Sequence, residues 1–210
     1  VIIVAADRDV ELKVIKCSYN PFDNRKLVKE STMYYNTTNA RSIIERNSVA
    51  LNNQETHLYF LEKTKLGSEF ARINLADMSK EILEKRPKMT GPATLVTLDD
   101  DKILSVGGSH DVIDFFIYSI RENLWSPYTA NFPDDPKYLN CFNGVLRKDG
   151  KVAIFATKDS AANSFLVLDV EEKQYTEETI DISDDYTLDN IIRQTDGSFI
   201  LVTSNAYEKT

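Results

Sequence analysis

Residues Ile103 to Trp125 read ILSVGGSHDVIDFFIYSIRENLW, and the other strands of the chain read as worn copies of this stretch. An apolar run, Ile103 to Val106, leads into Gly107 and Gly108 and then a polar break. A second apolar run carries Tyr118 and, after six intervening residues, Trp125. Two adjacent glycines let the backbone take positive φ and let neighbouring elements approach closely, which a residue with a Cβ does only at a cost. Tyr and Trp add large apolar area with a polar handle for a loop backbone.

Aligning on the second glycine gives Ala6, Lys63, Gly108, Thr157 and Ser204, separated by 57, 45, 49 and 47 residues, a period that belongs to repeat architectures. Each closes a short apolar run: Val1 to Ala5, Leu58 to Leu61, Ile103 to Val106, Val152 to Phe155 and Phe199 to Val202. About ten residues later stand Ile15, Ile73, Tyr118 and Leu168, each preceded at three residues by Leu12, Phe70, Phe115 or Phe165. Seven positions further come Phe22, Lys80, Trp125 and Tyr175. Lys80 breaks the aromatic pattern, and Ile82 nearby is expected to take the packing role. Upstream of each apolar run comes another, joined through Asp99-Asp100-Asp101, Asp149-Gly150 or Asp196-Gly197. Asp-Gly between two apolar runs is a strong hairpin signal because both residues tolerate positive φ. Each unit therefore has about four strands.

A diglycine at the end of one strand, with Tyr and Trp at this spacing in the next two, resembles the kelch-repeat family. The resemblance implies an all-β fold, a β-propeller of four-stranded antiparallel blades. The expected blade segments are about 1–30, 48–88, 90–131, 141–182 and 190–210, all parts of one domain over 1–210. Residues 31–47 are expected to form a longer connection with a helical turn around Ser42 to Arg46, and Glu62-Lys63, in place of a diglycine, a wider turn. Three complete blades and two partial ones cannot close a ring. Closure is what removes exposed strand edges, so the chain reads as a piece of a six- or seven-bladed ring, in keeping with a start at Val1 inside an apolar run.

The chain has 210 residues with 42 % hydrophobic content, enough for a sizeable core. Cys17 and Cys141 are its two cysteines, both inside expected strands, and read as buried free thiols. Nothing demands an oxidising compartment, and the expected location is the cytoplasm. Asn36-Thr37-Thr38 is a glycosylation sequon of the kind that arises by chance. No apolar run has the length of a membrane span. Twenty-five basic against 33 acidic residues give a net charge of −8. That charge argues against duplex nucleic acid or an anionic membrane as the main partner; it suits protein partners with basic segments, and also serves solubility.

Function on such a fold is sought where loops converge. Connections between the second and third strands of a unit, and links between units, should emerge on one face. That face is expected to carry Arg8, Asp9, His110, Asp111, Asp134, Asp135, Tyr138, Lys158, Asp159, Asp185 and Tyr186. The recurrence of Asp-Asp followed by Tyr, at Asp134-Asp135 with Tyr138 and at Asp184-Asp185-Tyr186, suggests an acidic surface with aromatic anchors. The same residues also serve as turn formers and seam packing. His110 and His57 have no ligand spacing around them, and Asp99-Asp100-Asp101 lacks the Gly and distal Glu of a calcium loop. No phosphate loop, nucleophile elbow or zinc spacing is present, so no metal or cofactor is expected.

The resemblance implies a non-catalytic scaffold for protein partners, cytoskeletal or as the substrate-recognition part of a ubiquitin ligase. Two other readings stand beside it. One is an architectural subunit of a large assembly. The other is a sugar-active enzyme on a kelch-like propeller, for which a copper set of Tyr, Cys and His is absent and mutarotase-like chemistry would need Arg, Glu or Asn in the central channel.

Overall fold

The computed structural model describes the backbone of residues 2–6, 11–19, 27–36, 43–64, 67–87, 93–109, 112–129, 138–158, 163–179, 186–193 and 198–205, and side chains within 48–62, 68–87, 93–107, 114–129, 143–155, 165–178, 191 and 198–201. Among the described residues all regular structure is strand. The first sheet has three strands, β1 (Ile2–Ala6), β2 (Glu11–Tyr19) and β3 (Leu27–Asn36). Three four-stranded units follow. The first holds β4 (Ile43–Leu51), β5 (His57–Thr64), β6 (Gly67–Asn74) and β7 (Lys80–Ile82). The next holds β8 (Ala93–Thr97), β9 (Lys102–Ser109), β10 (Val112–Ser119) and β11 (Leu124–Tyr128). The last holds β12 (Tyr138–Leu146), β13 (Val152–Lys158), β14 (Asn163–Asp169) and β15 (Gln174–Thr179). A two-stranded sheet, β16 (Tyr186–Arg193) and β17 (Phe199–Asn205), ends the chain.

Strands within each unit are antiparallel neighbours in sequence order. The first strands of successive units lie side by side, β4 by β8, β8 by β12 and β12 by β16, and one backbone pair, Ser109 with Asn140, bridges β9 to β12. This is the arrangement of propeller blades around an axis lined by innermost strands. The sequence reason is burial on both faces. An ordinary surface strand alternates apolar and polar, but the second strand of a blade is covered on either side and needs an apolar run.

Leu58-Tyr59-Phe60-Leu61 illustrates the consequence. Leu58 and Phe60 pack with Ala71 and Ile73 on one face of β5, while Tyr59 and Leu61 join Phe70, Leu83, Ala93, Leu95, Ile103, Tyr118 and Trp125 on the other. The second group is the seam between the unit of β4–β7 and the unit of β8–β11. A matching seam of Val96, Leu104, Val106, Phe115, Tyr128, Val152, Ile154, Leu166 and Leu168 joins β8–β11 to β12–β15. Each fully buried side chain of this size contributes about 1.5–3 kcal/mol, so the seams hold the units as firmly as a single core would.

The repeat landmarks are cross-strand partners. Ile103 pairs with Tyr118 and Tyr118 with Trp125; Val152 pairs with Leu168 and Leu168 with Tyr175; Leu58 pairs with Ile73 and Ile73 with Lys80. Tyr118 and Trp125 pack against Phe70 of the preceding unit at ring-centroid distances of 4.8 and 4.9 Å.

Five expectations need correction. Residues 43–46 are strand, so no helical turn forms there; β4 begins at Ile43 and β3 runs to Asn36, shortening the connection and moving both blade limits. Ile82 is 64 % exposed, and its neighbour Leu83 enters the seam instead, because the strand parity of β7 turns Ile82 outward. Glu62-Lys63 opens no wider turn: the ladder continues regularly through Glu62–Glu69, Lys63–Ser68 and Thr64–Gly67. Thr32, paired with Ile15, stands in the first sheet where Trp125 stands beside Tyr118, and Phe22, expected there, lies outside the described residues. Gly107 lies within the ladder, between Ala93 and Asp114, and β9 ends at Ser109.

Candidate functional site

Antiparallel alternation sends each unit's connections to two opposite edges. The ends of β5, β9 and β13 and the starts of β8, β12 and β16 lie at one edge, and hairpin turns 52–56, 98–101 and 147–151 lie at the other. Three expected site residues have a described backbone on the first edge. Tyr138 opens β12 and Lys158 closes β13, and the register pairs them directly. Tyr186 opens β16, paired with Asn205, and β16 packs beside β12. The backbone thus brings Tyr138, Lys158 and Tyr186 to one edge of neighbouring units. Arg8, Asp9, His110, Asp111, Asp134, Asp135, Asp159 and Asp185 lie outside the described residues.

The unit-to-unit link after β7 shows how such a connection is held. The Trp125 indole N–H donates to the Glu84 carbonyl at 3.0 Å, and the Glu84 N–H donates to Asn123 Oδ1 at 2.9 Å. Tyr118 Oη–H donates to the same Asn123 Oδ1 at 2.7 Å. Further along, the Arg86 guanidinium donates to buried Ser105 Oγ at 3.3 Å. Three polar contacts therefore tie the link to the next unit, and the Tyr118 hydroxyl holds the acceptor of one of them. Burial, with the Tyr59 hydroxyl nearby, raises the Tyr118 phenol well above its ordinary value.

Acidic residues on the opposite edge are spent on turns. Asp99 Oδ1 accepts the Asp101 N–H at 2.7 Å, and Asp101 Oδ1 accepts the Arg121 N–H at 2.7 Å, locking two hairpins of one unit together. Asp77 accepts both the hydroxyl and the N–H of Ser79, which lowers its carboxyl below the usual range. The Glu172 N–H does the same for Asp169, with Lys151 assisting. His57 sits in the first turn, Nδ1 at 2.9 Å from Thr56 Oγ1, beside Asn52, whose Oδ1 accepts the Thr56 and His57 N–H groups. Among the described residues no group of three His, Cys, Asp or Glu side chains could hold a metal ion.

Along the axis, hydroxyls and one glycine fasten the innermost strands. Ser48 Oγ donates to the Ala93 carbonyl, Thr97 Oγ1 donates to the Leu51 carbonyl at 2.8 Å, and the Gly144 N–H donates to Thr94 Oγ1 at 3.2 Å. A Cβ on Gly144 would meet Val96 Cγ2 at 2.6 Å, so the approach of β12 to β8 needs glycine. Off the axis, Lys80 forms a shielded ion pair with Glu62, which is 2 % exposed, and lies over the Phe60 ring. The sequence signal for that pair was visible: a charge at the glycine position and an opposite charge at the Trp position of one unit.

The sequence matches no protein-family model and no curated protein. In solved structures the chain is similar to a luciferin-regenerating enzyme, at 12 % identity and a TM-score of 0.55, with 87 % of this chain and 59 % of that one covered. It is also similar to an auxiliary nutrient binding protein from Bacteroides thetaiotaomicron, at 11 % identity and a TM-score of 0.52, with 96 % of this chain and 54 % of that one covered. The chain thus spans a little over half the length of each. Together with the four-stranded antiparallel units, these likenesses establish an all-β, propeller-type fold.

Proposed function

We propose that this chain is part of a non-catalytic propeller scaffold, of kelch type, whose loop edge receives a protein partner with basic segments. The observation that carries the reading is the convergence of Tyr138, Lys158 and Tyr186 on one edge of adjacent units. Aromatic residues at strand ends, with Asp residues near them in the sequence, are the composition that a binding surface uses. The seams beneath cost little further ordering on association, and preorganisation of that kind strengthens binding. In the full ring of six or seven blades the same edge would be continuous. A cytoplasmic partner, in a cytoskeletal assembly or a ubiquitin-ligase substrate, belongs to the same proposal.

The test replaces Asp185 by Lys and Tyr186 by Ala in the full-length protein and compares its co-purified partners with those of the parent. Expected are an unchanged melting curve and loss of the partner, with the wild-type interaction weakening as salt rises. A partner retained at wild-type strength refutes the loop edge as its binding surface.

A further inference from the structure

Strand β12 holds the sole Asn-Gly pair of the chain, Asn143-Gly144, and sets it at an irregularity. The register on β13 passes from Phe142–Phe155 to Gly144–Ile154, leaving Asn143 as the extra residue of a bulge. Its φ is +48° and it is 5 % exposed. An asparagine followed by glycine is chemically exposed to its own backbone, because glycine has no Cβ to hinder the approach of its nitrogen to the side-chain carbonyl. The Gly144 nitrogen bonds to Asn143 Cγ, the bond from Cγ to the side-chain nitrogen breaks, and ammonia leaves with the proton that Gly144 loses. Water then opens the cyclic succinimide to aspartate or isoaspartate.

The fold demands glycine at this position for a separate reason. A Cβ on Gly144 would meet Val96 Cγ2 at 2.6 Å and Thr94 Cγ2 at 3.4 Å. The close approach of β12 to β8 therefore fixes in place the residue that leaves Asn143 most open to cyclisation. Three features of the packed strands oppose the reaction. The Gly144 N–H donates to Thr94 Oγ1 at 3.2 Å, which holds the nitrogen and its proton towards β8. The Val96 and Thr94 methyl groups crowd the Gly144 Cα and resist the backbone rotation that ring closure needs. Burial of Asn143 keeps away the water that must carry the proton and hydrolyse the ring. All three lapse together when β12 lifts from β8, a local opening that needs no global unfolding.

We infer that Asn143 is a deamidation site, shielded by the packing of β12 on β8 and modified when those strands separate. Neither product restores the original contact. Aspartate places a carboxylate where the side chain is 5 % exposed, and isoaspartate also lengthens the backbone by one carbon at the bulge. The modification turns a transient opening of the inner strands into a lasting loosening between two units. This site is independent of the loop-edge proposal.

The test incubates full-length protein at neutral pH, folded and in concentrated urea, and follows the peptide spanning Asn143 by mass spectrometry, with isoaspartate resolved by chromatography. Conversion in the folded protein should be roughly a hundredfold slower than in urea, because it proceeds through the small opened population. Thr94→Val keeps the shape of the side chain and removes the acceptor of the Gly144 N–H. It should speed conversion of the folded protein about fivefold to tenfold and leave the rate in urea unchanged. Asn143→Asp, which mimics one product, should lower the urea midpoint. Equal rates folded and in urea, a folded-state rate that Thr94→Val leaves untouched, or a wild-type midpoint for Asn143→Asp would each overturn the inference.

Discussion

Replacing Trp125 by Ala removes the largest side chain of the seam between β4–β7 and β8–β11. Trp125 is 7 % exposed, with its ring 4.9 Å from Phe70 and 5.0 Å from Tyr118 by centroid. Truncating a buried Trp costs about 3–5 kcal/mol through lost burial and the cavity left behind. Loss of the indole hydrogen bond to the Glu84 carbonyl adds about 1 kcal/mol at most, because Glu84 is exposed and water can replace the donor. At about 2–4 °C per kcal/mol for a chain of this size, the melting midpoint should fall by roughly 6–24 °C. Trp125 is the sole tryptophan, so the variant must be followed by circular dichroism in urea. Phe70→Ala gives the complementary reading, with Trp125 as the probe: its emission should shift to the red and stability should fall comparably. A Trp125→Ala protein with wild-type midpoint and slope would refute the placement of Trp125 between units.

Three further outcomes follow from the same packing. Gly144→Ala should cost about 1–3 kcal/mol in urea unfolding, because its methyl group would meet Val96 Cγ2 at 2.6 Å; an unchanged midpoint would remove the close approach of β12 to β8. Lys80→Met should cost about 3–5 kcal/mol by leaving the Glu62 carboxylate buried alone, while Glu62→Leu with Lys80→Met should recover most of the loss; an additive double variant would contradict the ion pair. The raised Tyr118 phenol binds its proton more tightly when folded, so its contribution is complete below the ordinary tyrosine value of about 10 and is lost as pH rises above it. Tyr118→Phe should therefore flatten the alkaline fall in stability by about one proton, and an unaltered slope above pH ~10 would contradict the burial of that hydroxyl.

Much of the fold was legible because burial on both blade faces writes continuous apolar runs at a regular period, and Ile103 to Val106 with Tyr118 and Trp125 displayed the whole unit. What escaped was hidden by polarity inside strands. Glu45-Arg46-Asn47 reads as the end of a connection with a helical turn, yet with Ser48 it is the bulge of β4. Glu62 and Lys80 read as two breaks in the motif, although each compensates the other. That Leu83 and not Ile82 enters the seam is not legible, because period-2 parity cannot be assigned in a strand of three residues. Of the candidate site, strand-end positions such as Tyr138 and Lys158 follow from the register. The partner's identity does not, since loop chemistry leaves no imprint on core periodicity.

Crosslinking mass spectrometry on the full-length protein with its partners bound tests the central claim most directly. Lys137 and Lys158 belong to the proposed binding edge, and the exposed Lys148 and Lys173 belong to the hairpins of the opposite edge. The account predicts crosslinks from Lys137 and Lys158 to one recurrent protein, with few from Lys148 and Lys173. Crosslinks concentrated on Lys148 and Lys173, or a protein that runs without partners, would contradict it.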